Sequence, residues 1–93
     1  MIDIEYIKHL QADGNYSKIY WNYGSLLAAT LNGIRENLLP KEYFFRISRS
    51  HIINTNYLTA VDKKHKKSRL TSNRTAIELD ISGDGMKALE EFL

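Results

Sequence analysis

Residues 76–81, Ala-Ile-Glu-Leu-Asp-Ile, place Ile77, Leu79 and Ile81 on one side of an extended chain and Glu78 and Asp80 on the other. A period of two does not fit a helix, so this segment predicts a strand with one buried face and one wet face. The same pattern recurs. Residues 2–7 alternate Ile2, Ile4 and Tyr6 with acids, and residues 16–23 carry Ile19, Trp21 and Tyr23 on one face and Tyr16, Lys18 and Tyr20 on the other. Residues 43–47, residues 51–54, the stretch Leu58, Ala60 and Val61, and residues 68–71 add further short β-prone runs. Turn signals separate them: Asp13-Gly14-Asn15, Ser48-Arg49-Ser50, the lysine cluster after Asp62, and Ser72-Asn73-Arg74.

Helical spacing occurs in two places. Leu31, Ile34 and Leu38 follow Thr30 as an N-cap and end at Pro40, so a short mid-chain helix is expected after the break at Gly24-Ser25. Gly33 within it costs about 1 kcal/mol relative to Ala. At the C-terminus, Ser82 or Asp84 caps a helix with Met86, Leu89 and Phe92 or Leu93 on one side. Repeated crossover helices are missing, which argues against a parallel sheet. The expectation is a mostly β fold of antiparallel sheets, with a short mid-chain helix and a C-terminal helix.

At 93 residues the chain reads as one domain over 1–93, too small for two lobes around a catalytic cleft. It contains no cysteine, which excludes a disulfide framework, a thiolate zinc site and a thiol nucleophile, and suits a reducing cytoplasm. No apolar run has the length of a membrane span, and the first residues lack the pattern of a signal peptide.

The net charge of +2 conceals a strong segregation. Residues 1–45 carry −1, residues 46–74 carry +7 with Asp62 as their only acid, and residues 75–93 carry −4. Such a distribution points to an anionic partner. Nucleic acid ranks ahead of membrane because the bases are interleaved with Ser, His and Asn rather than set on an apolar helical face. Taken alone, Lys63-Lys64-His65-Lys66-Lys67 reads equally as a solvated hairpin turn.

Other chemistries find little support. His9, His51 and His65 are far apart and form no metal-binding spacing. Ser48, Ser50, His51 and Asp62 supply the residue types of a hydrolase without any motif that sets their geometry. The pair Gly83 and Gly85 lacks the rest of a dinucleotide fingerprint and reads as a flexible helix start. No catalytic residue, metal or cofactor is expected.

Residues 44–54, Phe-Phe-Arg-Ile-Ser-Arg-Ser-His-Ile-Ile-Asn, are the most informative segment. Phe44, Phe45, Ile47, Ile52 and Ile53 bury its flanks, while Arg46, Ser48, Arg49, Ser50 and His51 bring hydrogen-bonding groups to the junction of two strands. Arginine suits a guanine edge, since its planar fork reaches O6 and N7 together, and it also binds phosphate. The competing reading pairs these arginines with Glu42 or Asp62.

At this segment the chain resembles the LytTR DNA-binding domain of bacterial response regulators. That family carries a pattern close to F-x-R-x-H-R-S-x-x-V-N, matched by Phe44, Arg46, Arg49, Ser50 and Asn54. Its other landmarks occur in order: Ile4, Tyr6 and Ile7, then Gly14, Asn15 and Tyr16, then Thr30, Leu31, Ile34, Leu38 and Pro40. The resemblance implies an elongated arrangement of small antiparallel sheets whose loops enter successive major grooves and bend the DNA. It also implies contacts from Asn15 and Tyr16, from Arg46, Arg49 and Ser50, and from the region of Ser82. Two positions depart from the family. Ser48 stands where histidine is common, and Gly83-Asp84 stand where a basic residue often follows the serine, with Lys87 one helical turn beyond.

The combined expectation is sequence-specific recognition of double-stranded DNA in bacterial transcription regulation, with Arg49 reading a base and Asn15 or Tyr16 second. Arg46, Ser50, Lys18 and Lys66 are expected to face phosphates. A receiver or sensor domain in a longer parent chain and a dimer on repeated half-sites are the further partners this implies, with no membrane. Two alternatives stay open: a protein-interaction module on the same fold, and single-stranded nucleic acid stacking on Tyr16, Tyr20 and Trp21.

Overall fold

Every strand pairing among the described residues is antiparallel: neighbouring hairpins fold the chain back on itself, and β1 and β5, distant in sequence, also pair antiparallel. The structure, a computed structural model, describes residues 4–21, 24–28, 39–72 and 74–92. Its strands are β1 (Ile7–Asp13), β2 (Tyr16–Trp21), β3 (Gly24–Ala28), β4 (Phe44–Ser48), β5 (His51–Asn54), β6 (Leu58–Asp62), β7 (Lys67–Ser72) and β8 (Thr75–Asp80). A C-terminal helix, α1, spans Gly83–Phe92. One sheet has the order β3-β2-β1-β5-β4 and the other β6-β7-β8. The longest extent is 36 Å against 24 Å for the shortest.

Two apolar clusters hold these layers together. Ile7, Leu10, Leu39, Phe44 and Ile52 form one; Ile47, Ile53, Leu70, Ile81, Met86 and Leu89 form the other, between the first sheet, the second sheet and α1. Strand β5 serves both, with Ile52 in the first cluster and Ile53 in the second. Burying each such side chain contributes about 1.5–3 kcal/mol, so β5 anchors both cores.

The chain passes from one sheet to the other at a polar corner. Asn54 is buried. Its amide nitrogen donates to the Ile7 carbonyl at 2.9 Å, and its side-chain oxygen accepts the Asn56 N–H at 2.9 Å. The Thr55 amide and hydroxyl both donate to the Tyr43 carbonyl, at 2.7 and 3.0 Å. A 3-10 turn, Thr55–Tyr57, then leads into β6. The structure thus gives the motif residue Asn54 a corner-forming role.

Two local readings of the sequence shift, and a third falls outside the described residues. The first strand, expected over 2–7, lies at Ile7–Asp13, while Ile4–Tyr6 form a 3-10 turn. Strand β1 is central in its sheet, and both His9 and Leu10 are buried, which erases the alternation that marks a one-sided strand. Strand β3 begins at Gly24, where a break was expected, and pairs with β2 from Trp21–Gly24 to Ser17–Ala28. The helix expected over residues 30–38 lies outside the described residues. Among those described, the mid-chain helical element is the single 3-10 turn at Thr55–Tyr57.

Candidate nucleic-acid interface

The β1–β2 and β4–β5 turns lie side by side. Because β5 runs antiparallel to β1 with His51 opposite Gln11, the chain reversal at Arg49 and Ser50 falls beside the reversal at Gly14 and Asn15. The Ala12 amide donates to the Ser50 carbonyl at 2.8 Å and ties the two together. Gly14 adopts φ 63°, a left-handed conformation that glycine takes without steric cost. Asn15 and Tyr16 follow it, both exposed, with Tyr16 59% accessible.

A β-bulge brings a third segment to the same end. Arg46 faces Ile52 and Ser48 faces His51, so Ile47 is the extra residue on β4. An extra residue is unpaired within the ladder, and here its carbonyl accepts both the backbone N–H of Ser82 at 2.9 Å and the Ser82 hydroxyl at 3.2 Å. The same hydroxyl accepts the Gly85 N–H at 2.9 Å, making Ser82 the N-cap of α1. Gly85 packs directly against that carbonyl. A Cβ there would overlap the Ile47 oxygen and lie 2.6 Å from the Ile47 carbon. The sequence reading of Gly85 as flexibility is therefore corrected: glycine is required for close approach of helix and strand. A capping serine followed at N3 by glycine was the available signal.

An open groove results, lined by Arg46, Ser48, Arg49, Ser82, Asp84, Gly85 and Ala88. Asp84 occupies the first helical turn, where a carboxylate complements the helix dipole. The fourth turn, Lys63–Lys66, approaches through the Ile81 N–H, which donates to the Lys66 carbonyl at 2.8 Å. Lys66 has φ 53° and is exposed, and Lys87 is exposed on α1.

Within the β4–β5 turn the polar side chains organise one another. Arg46 Nε donates to the Ser48 carbonyl at 3.2 Å and Nη2 to the Arg49 carbonyl at 2.6 Å. The Ser48 hydroxyl accepts the Ser50 N–H at 3.3 Å and lies 3.3 Å from His51 Nδ1. Arg49 is exposed. Burial lowers the His51 pKa, with the carboxylate of Asp80 opposing the shift. His9 stacks on Tyr20 at 4.3 Å between ring centroids, and burial, then the nearby His51 and Lys8, lower its pKa to about 4. Lys18 stands over the Tyr20 ring at 5.5 Å. Tyr20 is thus occupied by His9 and Lys18, and Trp21 is half-buried, whereas Tyr16 stands clear at the turn.

The acids of the last segment pair mainly with the second sheet. Lys67 bonds to Asp80, Arg69 lies 3.8 Å from Glu78, and Lys63 lies 3.6 Å from Glu90. His65 Nδ1 meets Asp62 at 2.8 Å, and that hydrogen bond lowers the Asp62 pKa. Among the described residues, no ion-pair partner is found for Arg49, Lys64 or Lys66. Arg49, Lys64 and Lys66 thus keep unneutralised positive charge at the β4–β5 and β6–β7 turns, while the Asp84 carboxylate lines the same groove as Arg49. No three His, Asp or Glu side chains among the described residues are placed to hold a metal ion, and no described helix is long and apolar enough to cross a membrane.

Comparison with known proteins matches the whole chain, residues 1–93, to the LytTr DNA-binding domain. Among solved structures, the LytTr DNA-binding domain of a protein described as a methyl-accepting/DNA response regulator from Bacillus cereus superposes with a TM-score of 0.78 at 19% identity. The match covers 98% of this chain and 84% of that one. No curated protein matches the sequence.

Proposed function

The chain belongs to the LytTr DNA-binding domain family, a family of DNA-binding rather than catalytic domains, and on that premise we propose that it reads double-stranded DNA sequence-specifically to regulate transcription. The observation that carries this reading is the convergence of the β1–β2 turn, the β4–β5 turn and the N-terminus of α1 on one end, where Arg49 and Lys66 have no acidic partner among the described residues. Each hairpin turn is a two-stranded ribbon, an element that a major groove about 12 Å wide admits, and there each base pair shows a distinct donor and acceptor pattern. In this reading Arg49 takes a base edge and Asn15 or Tyr16 a second. Lys18, Ser50, Lys66 and Lys87 approach phosphates, while Ser48, His51 and Ser82 shape the loops that carry these contacts.

Phosphate contacts set the register and the salt dependence; base contacts choose the sequence. The role implies a cytoplasmic site of action, control by a receiver or sensor unit, and two copies on repeated half-sites. An electrophoretic shift with pooled random duplexes at two salt concentrations tests it. The expected result is a shift that weakens with salt and an enriched sequence in the bound fraction. Absence of both would favour a protein-interaction module on the same fold.

A further inference from the structure

Arg46 and Arg49 lie three residues apart in the β4–β5 segment, yet their surroundings differ. Arg49 is exposed at the apex, whereas Arg46 is half-buried and turned onto the turn's own backbone. Its guanidinium donates through two different nitrogens, Nε to the Ser48 carbonyl at 3.2 Å and Nη2 to the Arg49 carbonyl at 2.6 Å. These carbonyls belong to the residues that reverse the chain just beyond the bulge at Ile47. Turn carbonyls outside a ladder need partners, and a planar fork with fixed donor spacing can hold two of them together. Lysine has only a single ammonium on a flexible stem and cannot reproduce that grip.

We propose that Arg46 is a positioning residue for sequence readout: it fixes the Ser48–Arg49 backbone so that the Arg49 side chain is presented in one orientation, rather than serving as a phosphate ligand. This rests on the duplex-reading role proposed above. The Ser50 carbonyl, next along the same turn, accepts the Ala12 N–H at 2.8 Å, so the grip of Arg46 also bears on the junction with the β1–β2 hairpin. Arg46 thereby acts on two of the converging turns.

The test uses Arg46→Lys, Arg46→Ala, Arg49→Ala and the double Arg46→Ala/Arg49→Ala variant. In the free protein, amide hydrogen exchange at Ala12 and Ser50 should accelerate by about tenfold or more in Arg46→Lys, the scale of a lost charge-assisted hydrogen bond. The Leu70 amide in the second sheet should be unchanged, which shows that the domain remains folded. With DNA, Arg46→Lys should lower the preference for the selected duplex over a scrambled one by about fivefold or more, as one bidentate base contact confers. Arg46→Ala should do the same without a change in salt slope, and the double variant should lose no more preference than Arg49→Ala, because both substitutions remove one readout. A phosphate ligand would behave otherwise: Arg46→Lys would retain selectivity, and Arg46→Ala would make the salt slope shallower by about 0.9 with selectivity intact. Either that pattern or unchanged exchange at Ala12 and Ser50 overturns the inference. If the wild-type chain selects no duplex, the duplex-reading role fails, and the exchange measurement alone decides whether Arg46 positions the turn.

Discussion

Replacing Gly85 by alanine should destabilise the domain, although helix propensity alone predicts the reverse. Ala is favoured over Gly within a helix by about 1 kcal/mol. Against this, the new Cβ would lie 2.6 Å from the Ile47 carbon and closer still to its oxygen, whereas carbon atoms pack at about 3.5–4.0 Å. The obstacle is the backbone of the bulge residue of β4, whose side chain is fully buried, so α1 must retreat by roughly 1 Å. Retreat strains the packing of Met86 and Leu89, at about 1–3 kcal/mol for overpacking. It also lengthens the two Ser82 hydrogen bonds to Ile47, each contributing about 1 kcal/mol. The net expectation is a loss of about 2 kcal/mol, or a Tm lower by about 8–16 °C in a domain of this size. Gly83→Ala is the internal control. The nearest atom to a Cβ there is the mobile end of Lys66 at 3.9 Å, so this variant should be neutral or gain up to about 1 kcal/mol. Urea and thermal unfolding of the two variants measure both numbers. If Gly85→Ala matched or exceeded the wild type, the close approach of α1 to β4 would be wrong, and so would the account of how Ser82 reaches the interface.

Further outcomes follow from the same geometry. Arg49→Ala should cost about 1–3 kcal/mol of discrimination at one base position while leaving unfolding unchanged, measured by competition between single-base variants of the selected duplex. Lys66→Asn keeps a residue that tolerates φ 53° and removes a charge, so nonspecific duplex affinity should fall with a salt slope shallower by about 0.9. His9 is buried with its pKa lowered to about 4, and its Nδ1 has no hydrogen-bond partner among the described residues. The unfolded chain therefore binds the proton first, and the stability contributed by neutral His9 is complete above about pH 6.5 and lost as pH falls toward 4. A contribution of His9 to that loss of about 3 kcal/mol is expected, so His9→Phe should lose less stability than wild type over the window by about that amount, with the smaller loss from half-buried His51 remaining in both denaturation profiles.

The sequence exposed some of this architecture clearly and hid the rest for definable reasons. Strand β8 was legible because Ile77 and Leu79 alternate with the exposed Glu78 and Asp80, although the apolar face is only half-buried within the strand and becomes fully buried at Ile81. Strand β1 was not, since burial of both His9 and Leu10 removes any alternation. Strand β3 is five residues long, and Gly-Ser-Leu-Leu-Ala has the composition of a helix approach. Ser82 was recognisable as a cap, but its hold on Ile47 depends on a bulge that register alone reveals. The meaning of the acidic C-terminal segment also changed. Glu78, Asp80 and Glu90 pair with Arg69, Lys67 and Lys63, which lie close in space and far in sequence, whereas Arg49, Lys64 and Lys66 have no acidic partner among the described residues. That selection among lysines and arginines could not be read from charge counts along the chain.

The central claim is that the end where the turns meet reads duplex DNA through Arg49. Selecting bound duplexes from a random pool, with wild type and Arg49→Ala in parallel, tests it most directly. The account predicts one enriched motif for the wild type and loss of preference at one position of that motif for Arg49→Ala. A wild-type pool that remains random, or an Arg49→Ala motif identical at every position to the wild-type one, would contradict it.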